Sequence, residues 1–117
     1  MKNLLFLPVL FFCSTVLAQN QVSFESGEKI IVDNDKVKVV EFTSYPQGEV
    51  CGKGMHHHDP HLTVVVSNAK VKITPEEGEP QIIEVKSGTS MWLESDTHSV
   101  TNVGDQPTKM ILVYLKK

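Results

Sequence analysis

Glycine, proline or asparagine interrupts this chain every few residues, and the segments between the interruptions are short, β-branched and apolar. Val22-Ser-Phe24, Lys29-Ile-Ile-Val32, Lys36 to Tyr45, Leu62-Thr-Val-Val-Val66, Val71-Lys-Ile-Thr74, Gln81-Ile-Ile-Glu-Val85, Thr89 to Leu93, His98 to Val103 and Lys109 to Leu115 are all of strand length. None repeats its apolar residues at a 3.6-residue spacing for as long as a helix needs. The turns are expected at Gly27, Asn34-Asp35, Ser67 to Ala69, the acidic Pro75 to Pro80 loop, Lys86 to Gly88, Glu94 to Thr97 and Asn102 to Asp105. A chain so divided has one architecture open to it, an all-β sandwich or barrel. Leu62 to Val66 is continuous rather than alternating and predicts a strand covered on both faces.

The first residues follow another rule. Lys2 precedes a largely apolar run from Leu4 to Phe12, and Val16-Leu17-Ala18 offers the small residues of a cleavage site. Residues 1–18 therefore read as a secretory signal peptide, leaving 19–117 as one small domain, periplasmic or secreted. A lipoprotein signal ending at Cys13 is the alternative, opposed by the bulky Phe12 before it. No later run is apolar and long enough to span a membrane. Eleven basic residues, Lys2 among them, stand against fourteen acidic ones, interspersed and without a basic stripe. Nucleic acid is excluded as a partner, since phosphate neutralisation needs clustered cations. No arginine occurs at all, so two-pronged recognition of carboxylate or phosphate is unavailable. With Cys13 removed, Cys51 has no disulfide partner. It is a buried small apolar group, a reactive thiol or a neighbour of a metal site.

The chemistry gathers in Gly52-Lys-Gly-Met-His-His-His-Asp-Pro-His61. Residues two apart on a strand share a face, so His56 and His58 can aim at one point while His57 turns away to solvent. Two imidazoles do not complete a site, and His98 is the only histidine outside the cluster. A competing register takes His57 and Asp59 with His98 as a two-histidine, one-carboxylate triad of the non-haem iron type.

These residues resemble the motifs of the cupin superfamily, small β-barrels of jelly-roll type. Gly52, the His56-His57-His58 segment and the strand from Leu62 to Val66 are similar to the first cupin motif. Gly88, then His98-Ser-Val-Thr-Asn102, is similar to the second. The resemblance runs from about Lys36 to the end of the chain. It implies a barrel fold and metal ligands at His56, His58 and His98. The glutamate of the first motif is missing here, and His61 lies nearest its place, so either His61 replaces it or that position is open. Cupins also often pair into dimers, for which an exposed strand such as Ile30 to Val32 offers an edge.

An all-nitrogen site suits iron, zinc, nickel, copper or manganese better than magnesium or calcium. The expectation is a divalent transition metal and a small-molecule ligand or substrate, turned over by oxygenase- or isomerase-type chemistry, or else held without turnover. Glu94 and Asp96 are candidate bases or solvated loop charges. Asn102 reads as a turn residue before Gly104, and Met55, Met91, Met110, Phe42, Trp92 and Tyr114 as core.

Overall fold

The computed structural model describes residues 27–117. The signal segment, Cys13 and the expected strand at Val22-Ser-Phe24 lie outside the described residues. Nine strands form two antiparallel sheets, and the described residues contain no helix. They are β1 (Gly27–Asp33), β2 (Val37–Ser44), β3 (His56–His58), β4 (His61–Val65), β5 (Ala69–Pro75), β6 (Gln81–Val85), β7 (Ser90–Leu93), β8 (Asp96–Asn102) and β9 (Thr108–Leu115). One sheet has the order β1-β2-β9-β4-β7 and the other β3-β8-β5-β6.

Local chemistry accounts for several of the boundaries. The Asn34 side chain accepts from the Lys36 and Val37 amides at 2.8 and 2.9 Å, an Asx turn that reverses β1 into β2. Gly88 has φ +86°, a left-handed geometry that joins β6 to β7 without steric cost. Where Glu94 to Thr97 was expected to turn, β8 already begins at Asp96, because Asp96 and Thr97 pair with His58 and His57.

The inner faces of the two sheets meet in a small core. Alternation is clear on β8, where His98, Val100 and Asn102 are buried, and on β9, where Thr108, Met110 and Leu112 are. Val50, Val65, Ala69, Val71, Val100, Met110 and Leu112 form the continuous apolar cluster. The strand expected to be covered on both faces differs from that expectation. His61, Thr63 and Val65 are buried, Leu62 and Val64 only half so, and Val66 lies beyond the strand and is exposed. The reason is topological: β4 sits between β9 and β7 in a sheet whose outer face carries no further layer among the described residues. Asn102 also does more than shape a turn. Fully buried, it donates to the Ser44 and Gln106 carbonyls and accepts from the Gly104 amide, tying β2, β8 and the following loop together.

Candidate metal centre

The three histidines singled out in the sequence come together at one end of the core. β3 and β8 are antiparallel with His56 directly opposite His98, which sets their Cα atoms about 5 Å apart. His58 shares the His56 face by the two-residue period. Ring centroids are 4.6 Å apart for His56 and His58, 5.0 Å for His56 and His98, and 5.3 Å for His58 and His98. His58 and His98 are buried, and His56 is half-buried.

Each ring is held by its Nδ1. His56 Nδ1 donates to the Gly54 carbonyl at 2.8 Å, and His98 Nδ1 donates to the Asp96 carboxylate at 2.8 Å. Acceptors of this kind place the proton on Nδ1 and leave a lone pair on Nε2 of the neutral ring. Metal-ligating imidazoles are commonly oriented in this way by a carbonyl or carboxylate behind them. His58 Nδ1 lies 2.6 Å from the Tyr114 hydroxyl, which accepts from it when Nε2 carries the lone pair. His58 Nε2 is buried and has no partner among the described residues. A buried nitrogen without a partner costs about 1–3 kcal/mol, a deficit that a cation would remove.

Burial, reinforced by the neighbouring histidines His56, His61 and His98, pushes the His58 pKa down to about 4. The ring is therefore neutral near pH 7 and ready to ligate. Burial also raises the Tyr114 hydroxyl and the Cys51 thiol to about 12 each, so without a cation both stay protonated.

Cys51 is the residue that the sequence reading left undecided, and it stands within this group. Its Sγ is 3.5 Å from His56 Nε2 and 3.8 Å from His98 Nε2. Donor atoms of Cys51, His56, His58 and His98 all lie within 4.8 Å of one another, a group that could hold a metal ion. The backbone explains how Cys51 arrives. Residues 47–50 run along β8, with Val50 N donating to Val100 O at 2.9 Å and Glu49 bridged to Thr101. The register then slips before His56 meets His98, so residues 51–55 are extruded as a wide bulge. Cys51 opens that bulge with φ +57°, and Gly52 follows so closely that a Cβ there would stand 2.8 Å from the His56 ring.

His61 is not among the four converging residues. It is buried beside His58, ring centroids 5.1 Å apart, and its Nδ1 donates to the Asp59 carbonyl at 2.7 Å. The competing register is not assembled either. His57 is exposed, bonded to Thr97 Oγ1 at 2.9 Å, and Asp59 lies beside it at 3.6 Å on the outer side. Glu94 is exposed and accepts from the Trp92 indole at 3.2 Å. Asp96 orients His98 from two residues earlier on the same strand face, a role hidden in the sequence because Glu94 to Thr97 reads as a turn. The part played by Tyr114 had no local signal, since β9 reaches His58 from the opposite sheet.

Behind the four donors lies a cavity of about 140 Å³ between the sheets. Cys51, His58, His61 and His98 line one wall, and Val65, Val71, Ile73, Met91, Met110 and Leu112 contribute to the remainder. No lysine, aspartate or glutamate lines it. Apolar cavities of about 150 Å³ accept a molecule the size of benzene.

An antiparallel β-barrel carrying clustered histidines at one end is the class that this geometry defines. The likeness to solved structures makes the class specific. The chain superimposes on a cupin domain from Bordetella pertussis Tohama I with a TM-score of 0.70, at 24% identity over 79% of this chain and 94% of that one. A cupin family protein with a double-stranded β-helix fold from Methanocaldococcus jannaschii gives 0.64 at 11% identity, covering 82% and 84%. A polyketide cyclase from Streptomyces resistomycificus gives 0.60 at 18% identity, covering 77% of this chain and 64% of that one. No family model matches the sequence, and no curated protein matches it. The chain has the cupin fold, the double-stranded β-helix.

Proposed function

We propose that this is an exported cupin-fold metalloprotein, with residues 1–18 as its signal and 19–117 as the working domain, periplasmic or secreted. It binds a divalent transition metal through His56, His58 and His98 and acts on a small neutral molecule by oxygenase- or isomerase-type chemistry. One observation carries the reading: three imidazoles have their Nδ1 atoms engaged from behind while their Nε2 atoms face a common point, one of them buried without a partner. When bound, the ion supplies a Lewis-acid centre and, if iron or copper, a redox partner.

The chain's own groups do the rest. The apolar wall excludes water and accepts a molecule of roughly one-ring size. The absence of lysine from the chamber, and of arginine from the chain, disfavours carboxylate substrates and suits diketones or phenols. His61 lines the chamber with Nδ1 committed to Asp59, so its Nε2 is the nitrogen able to take up a proton there.

Elemental analysis of the purified protein and of His98→Ala, before and after chelation, tests the site. Unchanged metal content in the variant overturns it. A screen of small diketones and phenols then tests the chemistry, turnover lost on chelation being the expected result. The convergence of four donors rather than three favours a second reading, a binding module without turnover, because fully ligated sites are usually structural. The strand β1, at the edge of its sheet among the described residues and with Ile30, Ile31 and Val32 exposed, supports a homodimer, for which a monomeric mass by light scattering is the contrary result.

A further inference from the structure

The geometry points to Cys51 as a direct thiolate ligand of the ion, which makes the centre one sulfur and three nitrogens rather than an all-nitrogen site. This rests on the metal reading above and goes beyond it, since three histidines alone would serve that reading.

Two separations carry the argument. A tetrahedral ion with metal–sulfur bonds of about 2.3 Å and metal–nitrogen bonds of about 2.05 Å sets each sulfur–nitrogen pair about 3.5 Å apart. Cys51 Sγ lies 3.5 Å from His56 Nε2 and 3.8 Å from His98 Nε2, so two of those edges are already nearly formed. The buried, unpartnered His58 Nε2 belongs to the same group and independently marks the position as one awaiting a ligand. Backbone conformation adds a third point. Cys51 holds φ +57°, a region cysteine does not favour, and strained positions of this kind persist where surrounding structure enforces them, often at functional sites. Here the bulge of residues 51–55 returns the chain against His56 and fixes the thiol between two rings.

The step is a simple exchange. The S–H bond is replaced by a sulfur–metal bond, the proton leaves to solvent, and nothing is oxidised or reduced. A thiolate donor shifts preference toward zinc, copper and iron and away from manganese, which favours oxygen ligands. For a four-coordinate ion the protein then supplies every ligand, as in the binding-module reading, and turnover requires a fifth position for substrate.

Cobalt(II) added to the purified metal-free protein reads the ligand set by absorption. The wild type is expected to show both the visible ligand-field bands and a near-ultraviolet sulfur-to-cobalt charge-transfer band. Cys51→Ser should keep the visible bands, lose the charge-transfer band and bind at least roughly 10- to 100-fold more weakly, the loss that removing a mere outer partner of a ligand already causes. Visible bands without the sulfur band in the wild type overturn the thiolate ligand and leave the three-histidine site intact. No bands at all in the wild type overturn the metal reading itself, and the inference with it. Because the wild-type spectrum alone decides between these outcomes, the test does not depend on how the variant folds.

Discussion

Acidifying the metal-free protein from pH 7 to pH 4 probes the burial of His58 directly. In the folded chain the His58 ring is 6% exposed and its pKa is lowered to about 4, whereas in the unfolded chain it titrates near 6.5. Between those two values the unfolded state binds a proton that the folded state refuses. Stability contributed by the neutral ring is thus complete above about pH 6.5, falls as the pH drops through the window and levels off below about 4. A difference of 6.5 to 4, at 1.36 kcal/mol per unit, gives a loss of about 3 kcal/mol at pH 4. Urea unfolding followed by circular dichroism at pH 7, 6, 5 and 4 measures it, with His58→Phe as the reference, since phenylalanine fills similar space and does not titrate. Contributions from the carboxylates are common to both proteins and largely cancel, while the repulsion between His58 and the neighbouring histidines is part of what the difference measures. The wild type should lose about 3 kcal/mol more than the variant, nearly all of it between pH 6.5 and 4. Parallel losses would refute the claim that this ring is held neutral by its surroundings.

Three further outcomes follow from the same geometry. Asp96→Ala removes the carboxylate behind His98 and should weaken zinc binding roughly 10- to 100-fold by calorimetric titration, and it leaves the buried His98 Nδ1–H without its acceptor, which should cost the metal-free protein about 1–3 kcal/mol in urea unfolding. Gly52→Ala places a methyl group 2.8 Å from the His56 ring and should displace it, lowering zinc affinity in the same titration far more than the loss of one methyl's space suggests. Leu112→Ala, at a core position 1% exposed, should cost about 3 kcal/mol in urea unfolding while sparing the metal-binding stoichiometry, since it touches the chamber and not the donors.

The fold and the three histidines of the candidate site were legible in the sequence for one shared reason: both depend on period two. Alternation along β8 and β9 marks their inner faces, and the same period joins His56 to His58 without any knowledge of the neighbouring sheet; Asp96, read as a loop charge in a turn, shows its bond to His98 only in the structure. His98 could be matched to the cluster because the chain holds no other histidine beyond it. What the sequence did not disclose is of a different physical kind. Tyr114 reaches His58 across the sandwich, a contact that depends on how the two sheets pack. Cys51 depends on an interruption of pairing, since residues 47–50 lie along β8 as a strand would, although Pro46, Gly48, Gly52 and Gly54 suggested only an irregular connection.

That interruption also explains why Cys51, and not His61, stands with His56, His58 and His98 in the group of converging side chains. Counting residues forward from His58 leads to His61, but the short connection through Asp59 and Pro60 carries the chain from the β3 sheet into the other one. His61 consequently faces the donors from across the sandwich, its Nδ1 committed to the Asp59 carbonyl. Cys51 precedes the cluster, yet it remains on the β3 side because the segment before it is hydrogen-bonded to β8, the strand that carries His98. Proximity along the chain therefore favours His61, and proximity within the hydrogen-bonded sheet favours Cys51. In a barrel this small the sheet decides, because one β-strand, β8, sets the positions of His56 opposite it, His98 upon it and Cys51 beside it.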